Sequence, residues 1–110
     1  MKYHTGRRFG LAESVQSMIY WTCLNYEHLD DQTRALIGQA ARVSGERDAD
    51  VVLEALTTPT PIPEISLRYC CTSTPVDASQ LARKVRAAYL FLARTLPGLN
   101  KSATGTPPPP

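Results

Sequence analysis

Ser79, Gln80, Arg83, Lys84 and Arg86 crowd into about two helical turns just after Asp77, the last acidic residue of the chain. Their side chains suit contact with nucleic acid. Arginine forks onto guanine, glutamine onto adenine, and serine, lysine and arginine hold phosphates. On a helix at 100° per residue with Leu81 at zero, Ser79, Arg83, Arg86 and Arg94 fall between about 140° and 220°, opposite an apolar stripe. From residue 78 onward there are five cations, Arg83, Lys84, Arg86, Arg94 and Lys101, and no Asp or Glu. Residues 13–77 hold all ten acids against four arginines, a net of −6, and residues 1–12 add Lys2, Arg7 and Arg8. The formal charge of +2 therefore covers an acidic middle between two basic ends, which points to a polyanionic partner. A solvated polar face, which any surface helix must show, is the bland reading of the same residues.

Other chemistries find less support. His4 and His28 are far apart and have no cysteine at ligand spacing, so no zinc site is expected. Cys23, His28 and Asp30 are the residue types of a thiol triad, but nearness in sequence is not triad geometry, and a buried cysteine explains Cys23. Glu27, Asp30 and Asp31 sit where a helix dipole favours negative charge. With no glycine-rich phosphate loop either, no enzyme activity and no cofactor are expected. The three cysteines, Cys23, Cys70 and Cys71, are odd in number and two are adjacent. That is a poor disulfide framework, so reduced, partly buried thiols are expected. No apolar run approaches the roughly 20 residues of a membrane span. No signal-peptide pattern stands at the basic N-terminus. The expected compartment is the cytoplasm.

The elements that must position these residues are helices. A basic arm covers residues 1–10. A first helix over residues 11–25 places Leu11, Val15, Met18 with Ile19, Thr22 and Tyr26 on one face. A second follows Asp30 and Asp31 to about residue 43, with Leu36, Ile37, Ala40 and Val43 inward, and stops at Ser44-Gly45. A third, over about residues 47–56, turns Val51, Val52, Ala55 and Leu56 inward, with Asp48 and Asp50 in its first turn. Pro59, Pro61 and Pro63 break it. Residues 64–71 alternate like a strand, yet a lone strand has nothing to pair with, which favours a short helix. The last helix is expected over residues 75–96. Thr74 caps it, Pro75 stands at its first position, Asp77 at its third, and Leu81, Val85, Ala88, Leu92 and Leu96 form its inner stripe. Pro97-Gly98 ends it, and residues 100–110 form a proline-rich, disordered tail. The fold class is thus an all-α bundle of four to five helices in one domain, residues 11–99, with a helix-turn-helix-like C-terminal half.

The run Asp77-Ala78-Ser79-Gln80-Leu81-Ala82-Arg83-Lys84-Val85-Arg86-Ala87-Ala88-Tyr89 resembles the recognition-helix region of TrfB/Kor-type plasmid repressors. Leu36-Ile37, then Val51-Val52-Leu53-Glu54-Ala55-Leu56, then the basic helix about twenty residues on, is similar to Pap-type fimbrial-operon regulators. The resemblance covers roughly residues 36–96. It departs at Ser66, Cys70 and a turn two or three residues too long. It implies an all-helical, dimeric regulator of transcription binding double-stranded DNA. Ser79, Gln80 and Arg83 would then face bases, and Lys84 and Arg86 phosphates, with Arg7 and Arg8 on the arm adding contacts. Tyr20, Trp21 and Tyr26 are either core aromatics or a homodimer interface. The rival expectation is a helical protein-interaction module, such as a phage-encoded inhibitor or an adaptor. It would act through that aromatic group or through an acidic face of Glu46, Asp48, Asp50 and Glu54.

Overall fold

Helix boundaries follow from local hydrogen bonding. In the computed structural model, which describes residues 10–72 and 75–96, five α-helices form and no strand occurs among the described residues. The first, α1, spans Glu13–Leu24, and a single 3₁₀ turn, Tyr26–His28, follows it. Asp30 then starts α2 (Asp31–Arg42): its carboxylate accepts from the Thr33 backbone N–H at 3.2 Å and the Thr33 hydroxyl at 2.6 Å. Those two bonds hold the Asp30 carboxyl below its ordinary range. Gly45, at φ +123°, turns the chain beyond α2 in a conformation that a side chain would resist.

Next comes α3, Ala49–Thr57. The Thr57 and Thr58 hydroxyls donate to the Leu53 and Glu54 carbonyls, both at 2.8 Å, and Pro59 cannot extend the helix. The ambiguous segment is helical: α4 runs Ile62–Tyr69, with Pro61 as its cap residue and Pro63 in a first turn that needs no N–H.

The longest helix, α5, spans Ala78–Thr95 and starts three residues later than expected. Pro75 stands outside it because Asp77, not a threonine, is the cap. The Asp77 carboxylate accepts from the Gln80 backbone N–H at 2.8 Å, and the Asp77 N–H donates back to the Gln80 side chain at 3.4 Å. Ahead of the cap, Val76 is buried and its carbonyl accepts from the Ser66 hydroxyl at 2.7 Å, tying this stretch to α4. Eight residues, 70–77, connect α4 to α5, where a helix-turn-helix uses three or four. The expected Thr74 cap, the Pro97-Gly98 stop, the residue 100–110 tail and the arm carrying Lys2, Arg7 and Arg8 lie outside the described residues.

Packing centres on α5, which touches α1, α2, α3 and α4. Its expected stripe of Leu81, Val85, Ala88, Leu92 and Leu96 is buried, widened by Ala82, Tyr89 and Ala93. On α1 the expected Val15 and Ile19 are buried, and the buried side is wider than that stripe. Val15, Gln16, Ile19, Tyr20 and Cys23 face the core, whereas Met18 is half exposed. Bringing the Tyr20 ring inside rotates the helix away from the face that Met18 and Thr22 would share. On α2, Ile37, Ala40 and Ala41 are buried while Val43, expected inside, stands out in solvent at the helix end. No described helix is long and apolar enough to cross a membrane.

Candidate nucleic-acid interface

The outward face of α5 is built by its capping box and its apolar stripe. The box fixes where the helix begins, and the stripe fixes its rotation. Ser79, Arg83, Arg86 and Arg94 consequently all reach solvent on one side.

Charge pairing separates these arginines from the other cations. Among the described residues Arg34 pairs with Asp31, Arg42 with Glu46 at 2.9 Å and Arg68 with Glu54 at 2.8 Å. Lys84 and Arg47 both pair with Asp48, at 3.4 and 3.9 Å. Arg83, Arg86 and Arg94 have no acidic partner among the described residues, and all three lie on the outward face of α5. The helix bears no Asp or Glu that could neutralise them.

Lys84 does different work from its neighbours. Its ammonium reaches Asp48 Oδ2 at 3.4 Å and donates to the Ser44 carbonyl at 3.1 Å. Asp48 is buried, and its Oδ1 has no hydrogen-bond partner among the described residues. Lys84 therefore acts as a strut between α5 and the α2–α3 corner, not as a free cation. Gln80 has two attachments as well: its side chain closes the capping box, and it lines a cleft of about 340 Å³ with Ser44, Arg47, Asp48, Arg83 and Lys84.

Arg47 is the residue that the sequence did not reveal. It belongs to the acidic middle of the chain, yet its guanidinium donates to the Pro75 carbonyl at 3.3 Å and lines the cleft beside Arg83. No spacing rule links residues 47 and 83. Gly10, the first described residue, lies beside this face. A Cβ placed on Gly10 would stand 3.8 Å from the Arg86 guanidinium, and Arg8 is two residues upstream of Gly10 in sequence.

The acidic residues are not gathered into one free face. Asp48 is buried, Glu46 is paired, and Glu54 holds Arg68 and accepts from the Tyr69 hydroxyl at 2.8 Å. Only Asp50 of the four has no ion pair among the described residues. The aromatic group also divides. Tyr20 is a core residue at 1% exposure and Tyr26 is half-buried against the core. Trp21, at 50% exposure, rests edge-on against Tyr20 with ring centroids 5.1 Å apart. Met18, one turn earlier, is equally exposed.

Cys23 is buried, and burial pushes its thiol up to about 12, while His28 and Asp30 stand exposed. Cys70 and Cys71, expected to be partly buried, are both exposed. No three His, Cys, Asp or Glu side chains gather to hold a metal among the described residues. The fold is that of a five-helix all-α domain. No protein-family model, curated protein or solved structure matches this chain.

Proposed function

We propose that this protein is a DNA-binding regulator of transcription that lays the outward face of α5 in the major groove. The observation that carries the reading is charge pairing: the described arginines without an acidic partner are all on that face. Selection for solubility alone gives no reason for that segregation, whereas phosphate contact does. Eleven residues separate Arg83 from Arg94, so they stand about 16 Å apart along the helix axis, against a groove about 12 Å wide. Arg83 and Arg94 can thus address the two phosphate ridges, with Arg86 on the same face between them and Ser79 one turn beyond Arg83. Gln80, held by the capping box, would serve the groove only on leaving Asp77. Lys84 supports the helix instead of touching phosphate. Arg47 extends the basic side, Arg7 and Arg8 on the arm add contacts to the DNA, and two copies meet through Trp21 and Met18 over a two-fold site. The eight-residue connector means that α5 would enter the groove without the tight turn of a helix-turn-helix.

The test is anisotropy of a labelled duplex titrated across a salt series. Arg83→Ala and Arg86→Ala should each weaken binding and flatten the dependence of log affinity on log salt by about one unit. Arg34→Ala, which removes a cation already paired with Asp31, should leave both unchanged. Equal affinities for all three variants, or no binding at low salt, would sink the proposal.

The half-exposed Trp21 and Met18 favour a second reading, a module that docks on another protein. Its acidic version has little to work with, since Asp48 is inside and Glu54 is engaged.

A further inference from the structure

Two of the three thiols are exposed, adjacent and aimed at one another. The backbone explains why. The Thr72 N–H and hydroxyl both donate to the Tyr69 carbonyl, at 3.2 and 2.8 Å, closing a four-residue turn just past α4. Cys70 and Cys71 are the two central residues of that turn, and Cys70 has φ −63° and ψ −25°, the geometry of the second position of a type I turn. On a continuing helix, successive side chains would diverge by 100°. Here the two Sγ atoms stand 3.5 Å apart and share a hydrogen bond.

Three further observations decide what such a pair can do. It is poorly suited to closing on itself: Cα atoms joined by a trans peptide are about 3.8 Å apart, whereas disulfides need about 4.4 to 6.8 Å. It is also a poor zinc site. Zinc takes four ligands, and among the described residues no third His, Cys, Asp or Glu is placed to complete a set. Two sulfurs 3.5 Å apart nevertheless match the bite of one soft, pyramidal centre, since two sulfur bonds of about 2.3 Å meeting at roughly 100° span about 3.5 Å. The chemistry that fits is a thiophilic centre needing just two sulfurs.

We propose that Cys70 and Cys71 form a chelating dithiol site for trivalent arsenicals of the monosubstituted class. With an arsenoso compound, R–As=O, each thiol gives its proton to the oxygen, two As–S bonds form, the As–O bond breaks and one water leaves. No electron is transferred, so no oxidant or reductant is required. The turn already holds both sulfurs on one side, so little conformational freedom is lost on binding. Cys23 takes no part: it is fully buried on α1 and its thiol stays protonated. The site is independent of the DNA-binding reading.

The experiment uses the full, freshly reduced chain under native conditions. Accessible thiols are counted by reaction with an aromatic disulfide reagent, before and after titration with phenylarsine oxide. Two thiols should react before titration, and a single equivalent of phenylarsine oxide should protect both. Cys70→Ser and Cys71→Ser should each weaken phenylarsine oxide binding by on the order of a hundredfold, the loss expected when a second ligand no longer adds its effective concentration. Cys23→Ala should match the parent, and helical circular dichroism should confirm that each serine variant is folded. Parent-like affinity in either serine variant would overturn the proposal. So would one thiol left reactive at one equivalent, or protection that needs Cys23.

Discussion

Asp48 and Lys84 show how single side chains set the geometry of the basic face. A carboxylate is out of water at the α2–α3 corner, and its nearest cation arrives from α5. Removing that cation leaves a buried charge with only the longer Arg47 contact, at 3.9 Å. Lys84→Ala should therefore destabilise the domain by about 2 kcal/mol, the scale of a hydrogen bond to a charged group in a partly exposed site. Urea unfolding of Lys84→Ala, Asp48→Ala and the double variant measures it. The double variant should be less destabilised than the sum of the two singles, because each single leaves the partner unmatched. Strict additivity would mean that Lys84 is an ordinary surface cation. In the sequence neither role was legible. Asp48 read as a dipole-favoured acid in a first turn and Lys84 as a phosphate contact, because one-dimensional spacing carries no information about a pair 36 residues apart. Arg47 was hidden for the same reason.

At the scale of elements, the legible parts were those written in short-range patterns. The α5 stripe of Leu81, Val85, Ala88, Leu92 and Leu96 follows the helical period and is buried as that period requires. Pro59 and the Ser44-Gly45 pair stop α3 and α2 close to where they should. Errors arose where two local signals competed. Thr74-Pro75 and Asp77-Gln80 are both good helix starts, and the second prevails because it satisfies two backbone N–H groups through two reciprocal side chains. On α1, several apolar residues offer more than one inner face, and only contact with the rest of the bundle selects the one containing Tyr20. The cap makes a definite prediction. Asp77→Ala should lower stability by about 1 kcal/mol and Asp77→Asn by much less, since asparagine can still accept from the Gln80 N–H. Thermal unfolding followed by circular dichroism distinguishes them, and equal losses would show that charge, not capping, matters at this position.

The whole molecule converts a nearly balanced composition into a polar one. Four of its ten acids, Asp31, Glu46, Asp48 and Glu54, are paired with Arg34, Arg42, Lys84 and Arg68, and the described arginines left without an acidic partner lie on one face of α5. A face with three arginines supplies only a few phosphate contacts, and a few contacts give a shallow salt dependence. Two copies on one duplex would double the number of contacts. Of the exposed apolar side chains, which also include Val43 and Leu67, Trp21 and Met18 sit together, one turn apart on α1, a helix whose sole charged residue is Glu13. Trp21→Ala should then convert a dimer into a monomer in sedimentation equilibrium. It should also cut the slope of log affinity against log salt by about half, although it removes no charge. That combination is what distinguishes a dimer contact from damage to the basic face of α5, because Arg83→Ala should lower the slope by about one unit and leave the mass unchanged. A parent protein that sediments as a monomer in the presence of duplex, or a Trp21→Ala variant that retains the parent slope, would place Trp21 outside the DNA-binding assembly and turn attention to a protein partner for α1.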